Sequence, residues 1–412
     1  MTAFTGLLRC PRCGWTTEPR GAFAGCRACA QDGVPVNVHP EYDPSGDRSA
    51  DDEAPGLFRH RRLLPLPEDA VPVSLDEGNT PLLQMRRLGA AMGHERLYLK
   101  DETRNPTWSY KDRLAAVAVT RAVSDGADTI VVGTTGNHGA AAAAYAAAAG
   151  LRCVALTLTS VPLTMKVLMQ VLGAHVVAVG EPQERWAIMR RAVIERGWVP
   201  LSGFSDPPVG SNPFGIEGYK SIAYELVEEL GAAPDVVVVP VAYGDGLIGI
   251  HRGFGDLLAW GVIAASPRLV AAEPLGPYTA SLAAGGEVPA VVDANPSVAF
   301  SIASRVATSQ GIRALRESGG TAVVVSDDVE LLEAQQRIAA TEGCYLEASA
   351  AICLPAVERL KAGGWIKAHE SVVMIGTSSG LKDVDATAGR LSEVPVIEPS
   401  LEALDVSLAA AP

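Results

Sequence analysis

Short apolar runs that alternate with longer stretches of helical period dominate this chain from residue 130 onward. The runs at 130–132, 153–156, 175–179, 235–241, 269–272, 322–325 and 372–375 read as strands. Between them, 140–149 is closed by Gly150 and 163–172 ends at Gly173, and both read as helices. Strands with no polar alternation are buried on both faces, and such strands belong to parallel sheets joined by helical crossovers. The body is therefore α/β. At 412 residues the chain exceeds what one hydrophobic core fills, so two or three domains are expected.

Charge narrows the choice of partner. A formal net charge of −13 opposes binding to a polyanion, because nucleic-acid affinity comes mostly from Lys and Arg neutralising phosphates. No apolar run approaches the ~20 residues that span a bilayer, and the first nine residues lack the pattern of a secretory signal. The expectation is a cytoplasmic protein that handles small molecules, with neither nucleic acid nor membrane as partner.

Four of the seven cysteines fall within the first thirty residues, as Cys10-Pro-Arg-Cys13 and Cys26-Arg-Ala-Cys29 with twelve residues between the pairs. Two such knuckles close a tetrahedral thiolate site around zinc, and a module this short draws its folding energy from the metal. The competing reading is a set of unmetallated or redox thiols, which predicts one pair beside a thioredoxin-like pattern. Four protein ligands would make the site structural. Cys153, Cys344 and Cys353 sit in apolar or Ala-rich surroundings and read as packing residues. The stretch 43–55, rich in Pro, Gly, Ser and acidic residues, reads as a mobile linker.

Gly133-Thr-Thr-Gly-Asn-His-Gly139 lies between a strand and a helix, where free N–H groups and the helix dipole favour an anion. The spacing is not G-x-G-x-x-G, and the next strand ends without the acidic residue that would hold a ribose, which opposes a dinucleotide site. A plain glycine-rich turn competes equally until a second segment is considered. Asn105-Pro-Thr-Trp-Ser-Tyr-Lys-Asp-Arg113, followed by Thr134-Thr-Gly-Asn-His138, resembles the paired segments of threonine synthases, in the fold-type II group of pyridoxal-phosphate enzymes. Asp76-Glu-Gly-Asn-Thr-Pro-Leu82, Asn212-Pro-Phe-Gly-Ile-Glu-Gly-Tyr-Lys220, Glu347-Ala-Ser-Ala-Ala351 and Gly376-Thr-Ser-Ser-Gly-Leu-Lys-Asp383 resemble further segments in the family's order.

The resemblance implies two three-layer αβα domains with pyridoxal 5'-phosphate in the cleft between them, plus a small zinc-ribbon-like module. The module would occupy 1–42, a linker 43–70 and the catalytic region 71–412, with a smaller inserted domain at about 115–205. It also implies that Lys111 carries the cofactor and acts as the base, since only a primary amine can do both. Asn137 would meet the cofactor's phenolic oxygen and Thr377 its ring nitrogen. Ala242, Tyr243, Gly244, Asp245, Gly246 and Leu247 would form the phosphate loop. Thr134, Thr135, Gly136, His138, Ser109, Lys166 and Asn212 would bind substrate. A homodimer is implied by the same resemblance.

Several residues depart from the pattern. Asp245 puts a carboxylate where a dianion is expected, so either it points away and backbone N–H groups do the binding, or the loop is remodelled. Trp108 stands for a small Gly, Tyr219 for a Gln, and Gly215 for the Arg of N-P-x-R. Lys166, Lys220, Arg113 and Arg305 are the remaining cations for a substrate phosphate. The reaction implied first is O-phosphohomoserine plus water giving threonine and phosphate. Replacement or elimination on a serine, threonine or phosphoserine substrate comes second, and a catalytically silent zinc-bearing scaffold third.

Overall fold

The computed structural model describes residues 4–19, 22–43, 49–51 and 53–409. Thirteen strands among the described residues build three sheets. β1 (Phe4–Arg9), β2 (Thr16–Thr17) and β3 (His39–Tyr42) make a small antiparallel sheet in the order β2-β1-β3. The body holds β4 (Leu82–Gln84), β5 (Leu97–Asp101), β6 (Thr129–Gly133), β7 (Arg152–Leu158), β8 (His175–Val179), β9 (Val199–Pro200), β10 (Val236–Pro240), β11 (Arg268–Glu273), β12 (Thr321–Val324) and β13 (Val372–Gly376). A six-stranded sheet runs β12-β11-β10-β13-β5-β4, parallel except for the edge strand β4. A four-stranded parallel sheet, β8-β7-β6-β9, is built entirely from 129–200. All seven runs read as strands are strands.

The larger sheet shows why its strands carry no polar alternation. Val237, Val239, Leu269, Ala271, Val373 and Ile375 pack into one core. Their neighbours Val236, Val238, Val270, Ala272, Val372 and Met374 point through the other face into a second core. Helices therefore cover both faces, in three layers. The first core continues through the helices Lys111–Ser124 and Asn137–Ala149 to Ile130 and Val132 of β6, so the two sheets share one interior. Alanines at 141–144 and 146 let those two helices approach closely. No helix of the described residues is long and apolar enough to cross a membrane.

The stretch 43–70 is not all linker. Residues 44–48 and 52 lie outside the described residues, but Leu57, Phe58, Leu63, Leu64, Leu66 and Ala70 are buried in the shared core. Leu57 N–H donates to the Glu77 carbonyl at 2.8 Å. Five leucine and phenylalanine side chains in ten residues bury too much apolar area to hang in solvent.

A buried ionic cluster fixes the start of the helix Lys111–Ser124. Arg113 grips Glu102 through Nε at 2.7 Å and Nη2 at 2.8 Å, and Glu225 through Nη1 at 2.5 Å and Nη2 at 2.8 Å. Lys100 reaches Glu225 at 2.9 Å, and Asn105 Nδ2 donates to Glu102 at 2.8 Å. All five side chains are buried. Removing one member of such a cluster strands the opposite charge in a dry interior. Arg113→Met is expected to cost ~3–5 kcal/mol of stability by urea unfolding, with part recovered by adding Glu102→Gln. A loss below ~1 kcal/mol would contradict the assigned role.

Candidate active site

β6, β10 and β13 all end at one cleft, which is lined by Gly133, Pro240 and Thr377 at their carboxyl ends. Ligands of open α/β sheets gather at such strand ends, where loops lead into helix N-termini. Lys111 enters the cleft from the first position of its helix. Its register is set by the preceding turn: Tyr110 N–H donates to the Thr377 carbonyl at 3.0 Å, and Ser379 N–H to the Trp108 carbonyl at 3.1 Å. Trp108 adopts φ 58°, the left-handed backbone a glycine would favour, at a cost of roughly 1–2 kcal/mol. Its ring is half exposed and does not line the cleft.

Among the described residues, no carboxylate or carbonyl bonds the Lys111 amine. Its nitrogen lies 5.0 Å from the Tyr110 ring centroid and 5.8 Å from that of Tyr219. Burial lowers its pKa below the ordinary lysine range, opposed by the charge of Asp245. A desolvated amine with no acceptor gives up its proton readily. His138, buried and near Lys111, has its pKa pushed well below the usual value by burial and by that amine. Its Nε2 has no partner among the described residues.

Two cradles of backbone donors flank the amine. The first starts the helix Asn137–Ala149: the N–H groups of Thr135, Asn137 and His138 have no acceptor among the described residues. Thr134 Oγ1 shapes this turn by accepting from the N–H groups of Gly136 and Gly139, both at 2.9 Å. Gly136 has φ 141°, and a Cβ there would come within 2.6 Å of Met165 Sδ. The second cradle starts the helix Asp245–Ala259, where the N–H groups of Ala242, Tyr243, Gly244, Asp245, Gly246 and Leu247 are likewise without acceptors. Six free donors at a helix N-terminus suit a phosphate.

The carboxylate of Asp245 does not enter that second cradle. It accepts from Ser211 N–H at 2.9 Å, Ser211 Oγ at 2.6 Å and Gln310 Nε2 at 2.7 Å. Gln310 also donates to the Tyr243 carbonyl at 3.0 Å, so Asp245 acts as a strut that holds the loop open.

Asn137 is held in a fixed orientation. Its Nδ2 donates to Glu347 at 2.8 Å, and its Oδ1 accepts from Lys382 at 2.8 Å and Ser378 at 3.1 Å. One Nδ2 hydrogen is left for a ligand. Burial lowers Lys382 to about 8, with Asp112 and Glu347 opposing. Thr377 is buried at the cleft wall.

Not every residue named from the sequence reaches the cleft. Lys166 turns its amine to the Thr159 carbonyl at 2.7 Å. Asn212 caps its own short helix, accepting from Phe214 and Gly215 N–H and donating to the Pro200 carbonyl at 2.9 Å. Ser109 is fully buried, and its Oγ accepts from Lys111 N–H at 3.2 Å. Gly136 shapes the first cradle from behind. Arg113 is locked as described, Lys220 pairs with Asp256 at 2.7 Å, and Arg305 donates to the Val292 carbonyl on the surface. Conversely, Glu347 and Lys382 stood in quoted segments without an assigned role, and Arg185 and Trp186 line the cleft with no sequence signal at all.

In the N-terminal module, the sulfurs of Cys10, Cys13, Cys26 and Cys29 all lie within 4.8 Å of one another, with Cys10–Cys29 and Cys13–Cys26 both at 3.6 Å. Thiolates at ~2.3 Å from a tetrahedral zinc stand roughly 3.8 Å apart, so the donor set fits that ion. The module also touches the cleft's support, since Asn37 Nδ2 donates to the Ser211 carbonyl at 3.1 Å and to Gln310 Oε1 at 3.4 Å.

Comparison with known proteins identifies the family. A family model described as pyridoxal-phosphate dependent enzyme matches residues 73–378. The threonine synthase of Methanosarcina acetivorans is 30% identical over 96% of this chain and 97% of its own length. That of Methanocaldococcus jannaschii is 31% identical over 95% and 96%. Among solved structures, maize serine racemase superposes with a TM-score of 0.62 at 22% identity, over 80% of this chain and 91% of its own. The L-serine ammonia-lyase of Rhizomucor miehei gives 0.64 at 20%, over 76% and 98%. At such identities the solved structures speak for the fold alone.

Proposed function

The chain belongs to the pyridoxal-phosphate-dependent enzyme family, as a threonine-synthase-like member of fold type II, and we propose that it eliminates a leaving group from the γ carbon of an amino acid and adds water at the neighbouring β carbon. O-Phosphohomoserine plus water giving threonine and phosphate is the reaction favoured. The observation that carries this is the Lys111 amine, desolvated and without an acceptor, set between two cradles of unpaired N–H groups.

Each group takes one task. The cradle at 242–247 holds the cofactor's phosphate, with Asp245 turned onto Ser211 so that no carboxylate repels it. Asn137, its oxygen occupied by Lys382 and Ser378, offers its free N–H to the cofactor's phenolic oxygen. The Thr377 hydroxyl meets the ring nitrogen. Thr135, Asn137 and His138 present N–H groups to the substrate's α-carboxylate. When bound, the cofactor acts as an electron sink for carbanions next to its imine carbon, and a neutral hydroxyl partner keeps that sink weak enough to favour elimination over transamination. Lys111 takes the α-proton and returns protons as the product forms. His138, held neutral, adds no charge that would compete with the amine.

Gly215, in place of the family arginine, supports a second reading in which the substrate is serine or threonine and the product a keto acid. Products formed from O-phosphohomoserine, phosphoserine, threonine and serine separate the two. The first reading expects threonine and equimolar phosphate from O-phosphohomoserine alone, abolished by Lys111→Ala. Keto acid from serine or threonine, with no phosphate release from O-phosphohomoserine, would overturn it.

For the cysteine module we propose a structural zinc, supported by the sulfur spacing. Metal analysis of purified protein is expected to find one zinc per chain, lost with Cys26→Ser. Protein without metal that unfolds at the same temperature as metal-treated protein would refute it.

A further inference from the structure

One charged residue of the cleft has no task in the proposed function. Among the described residues, Lys111 and Arg185 are the only cations lining it. Arg185 sits on the helix Pro182–Arg196 and is 6% exposed. Its Nη1 donates to the Thr134 carbonyl at 3.1 Å, its Nε has no partner, and no described carboxylate lies within ion-pair distance. The guanidinium rests against Gly133, where an added Cβ would stand 3.1 Å from Nε and 3.2 Å from Cδ. Burying a guanidinium without a counter-ion is costly, and the cost is offset when a ligand brings the missing charge.

The other candidate cations do not line the cleft. Lys166, Lys220, Arg113 and Arg305 are bonded elsewhere. The position of the family arginine cannot serve either: a Cβ on Gly215 would come within 2.8 Å of the Leu114 side chain and 2.9 Å of its carbonyl, so the backbone is packed against the helix Lys111–Ser124 with no room for a side chain. With the cofactor's phosphate and the α-carboxylate assigned to the two N–H cradles, a third anion is missing opposite Arg185.

We infer that Arg185 binds a second oxyanion on the substrate, a phosphate ester or a distal carboxylate, and so selects amino acids that carry negative charge beyond the α-carboxylate. This rests on the proposed function, since it takes the two cradles as occupied. It moves the lost arginine's charge to a different element, from the segment 212–220 to the helix Pro182–Arg196, which packs on the four-stranded sheet.

The test uses the holoenzyme and the absorption of its cofactor as readout, titrated with inorganic phosphate, with succinate and with L-serine, which has no second anion. In Arg185→Gln the dissociation constant for phosphate, or for succinate if the group is a carboxylate, is expected to rise about 10–150-fold, the worth of one charged hydrogen-bonding group. Arg185→Lys restores part of it, and the affinity for L-serine holds. Phosphate and succinate responses that are absent, or equal in wild type and Arg185→Gln, overturn the inference. An equal loss for L-serine also overturns it, because Arg185 would then serve the α-carboxylate. If Arg185→Gln alone loses the cofactor band, Arg185→Lys decides by the same titration, with weakened phosphate or succinate binding expected and unchanged binding contradictory. A wild-type protein that never acquires the band would instead defeat the underlying reading of the cleft.

Discussion

An amine that must shed its proton needs surroundings that withhold both water and counter-ions, and much of this molecule serves that need at Lys111. Tyr110 and Tyr219 wall the nitrogen with ring faces, and no described acceptor bonds it. Two residues along the same helix, Arg113 is clamped by Glu102 and Glu225. The clamp fixes the helix by charge while leaving the neighbouring amine free of it. Separating the anchoring ions from the reactive nitrogen by half a helical turn places them on different sides of the helix. A carboxylate beside Lys111 would give the same rigidity and raise its pKa.

In the proposed reading anion binding is built the opposite way, from neutral donors. Both cradles are helix starts whose N–H groups lack acceptors among the described residues; Thr134 Oγ1 accepts from Gly136 and Gly139 N–H in the first, and the Asp245 carboxylate ties the second to Ser211 and Gln310. The Asp245 strut extends through Gln310 to Asn37 in the cysteine module. The module is thus a buttress for the loop at 242–247 as well as an appendage.

Most strands were legible because strands buried on both faces leave unbroken apolar runs, and seven such runs mark the parallel strands from β6 to β13 except the two-residue β9. β5 was not, since Tyr98 and Lys100 interrupt its apolar residues, and the buried Lys100 is satisfied by Glu225, Glu229 and the Thr80 carbonyl. The packing of 56–66 was hidden by the polar, proline-rich stretch before it. Within the cleft, Lys111, the two loops, Asn137 and Thr377 were found because their segments resemble a family. Lys166 and Asn212 came from the same reasoning, but local bonds to Thr159 and Pro200 draw them away. Arg185 carried no signal, as its burial depends on a helix folding over the end of β6, which sequence spacing does not encode.

The central claim is that the nitrogen of Lys111 is the bonding point for pyridoxal 5'-phosphate. Borohydride reduction of the holoenzyme, followed by proteolysis and mass spectrometry, tests it at the level of one atom. The account predicts a single pyridoxyl adduct, on the peptide containing Lys111. An adduct on Lys166, Lys382 or another lysine, with Lys111 unmodified, would contradict it.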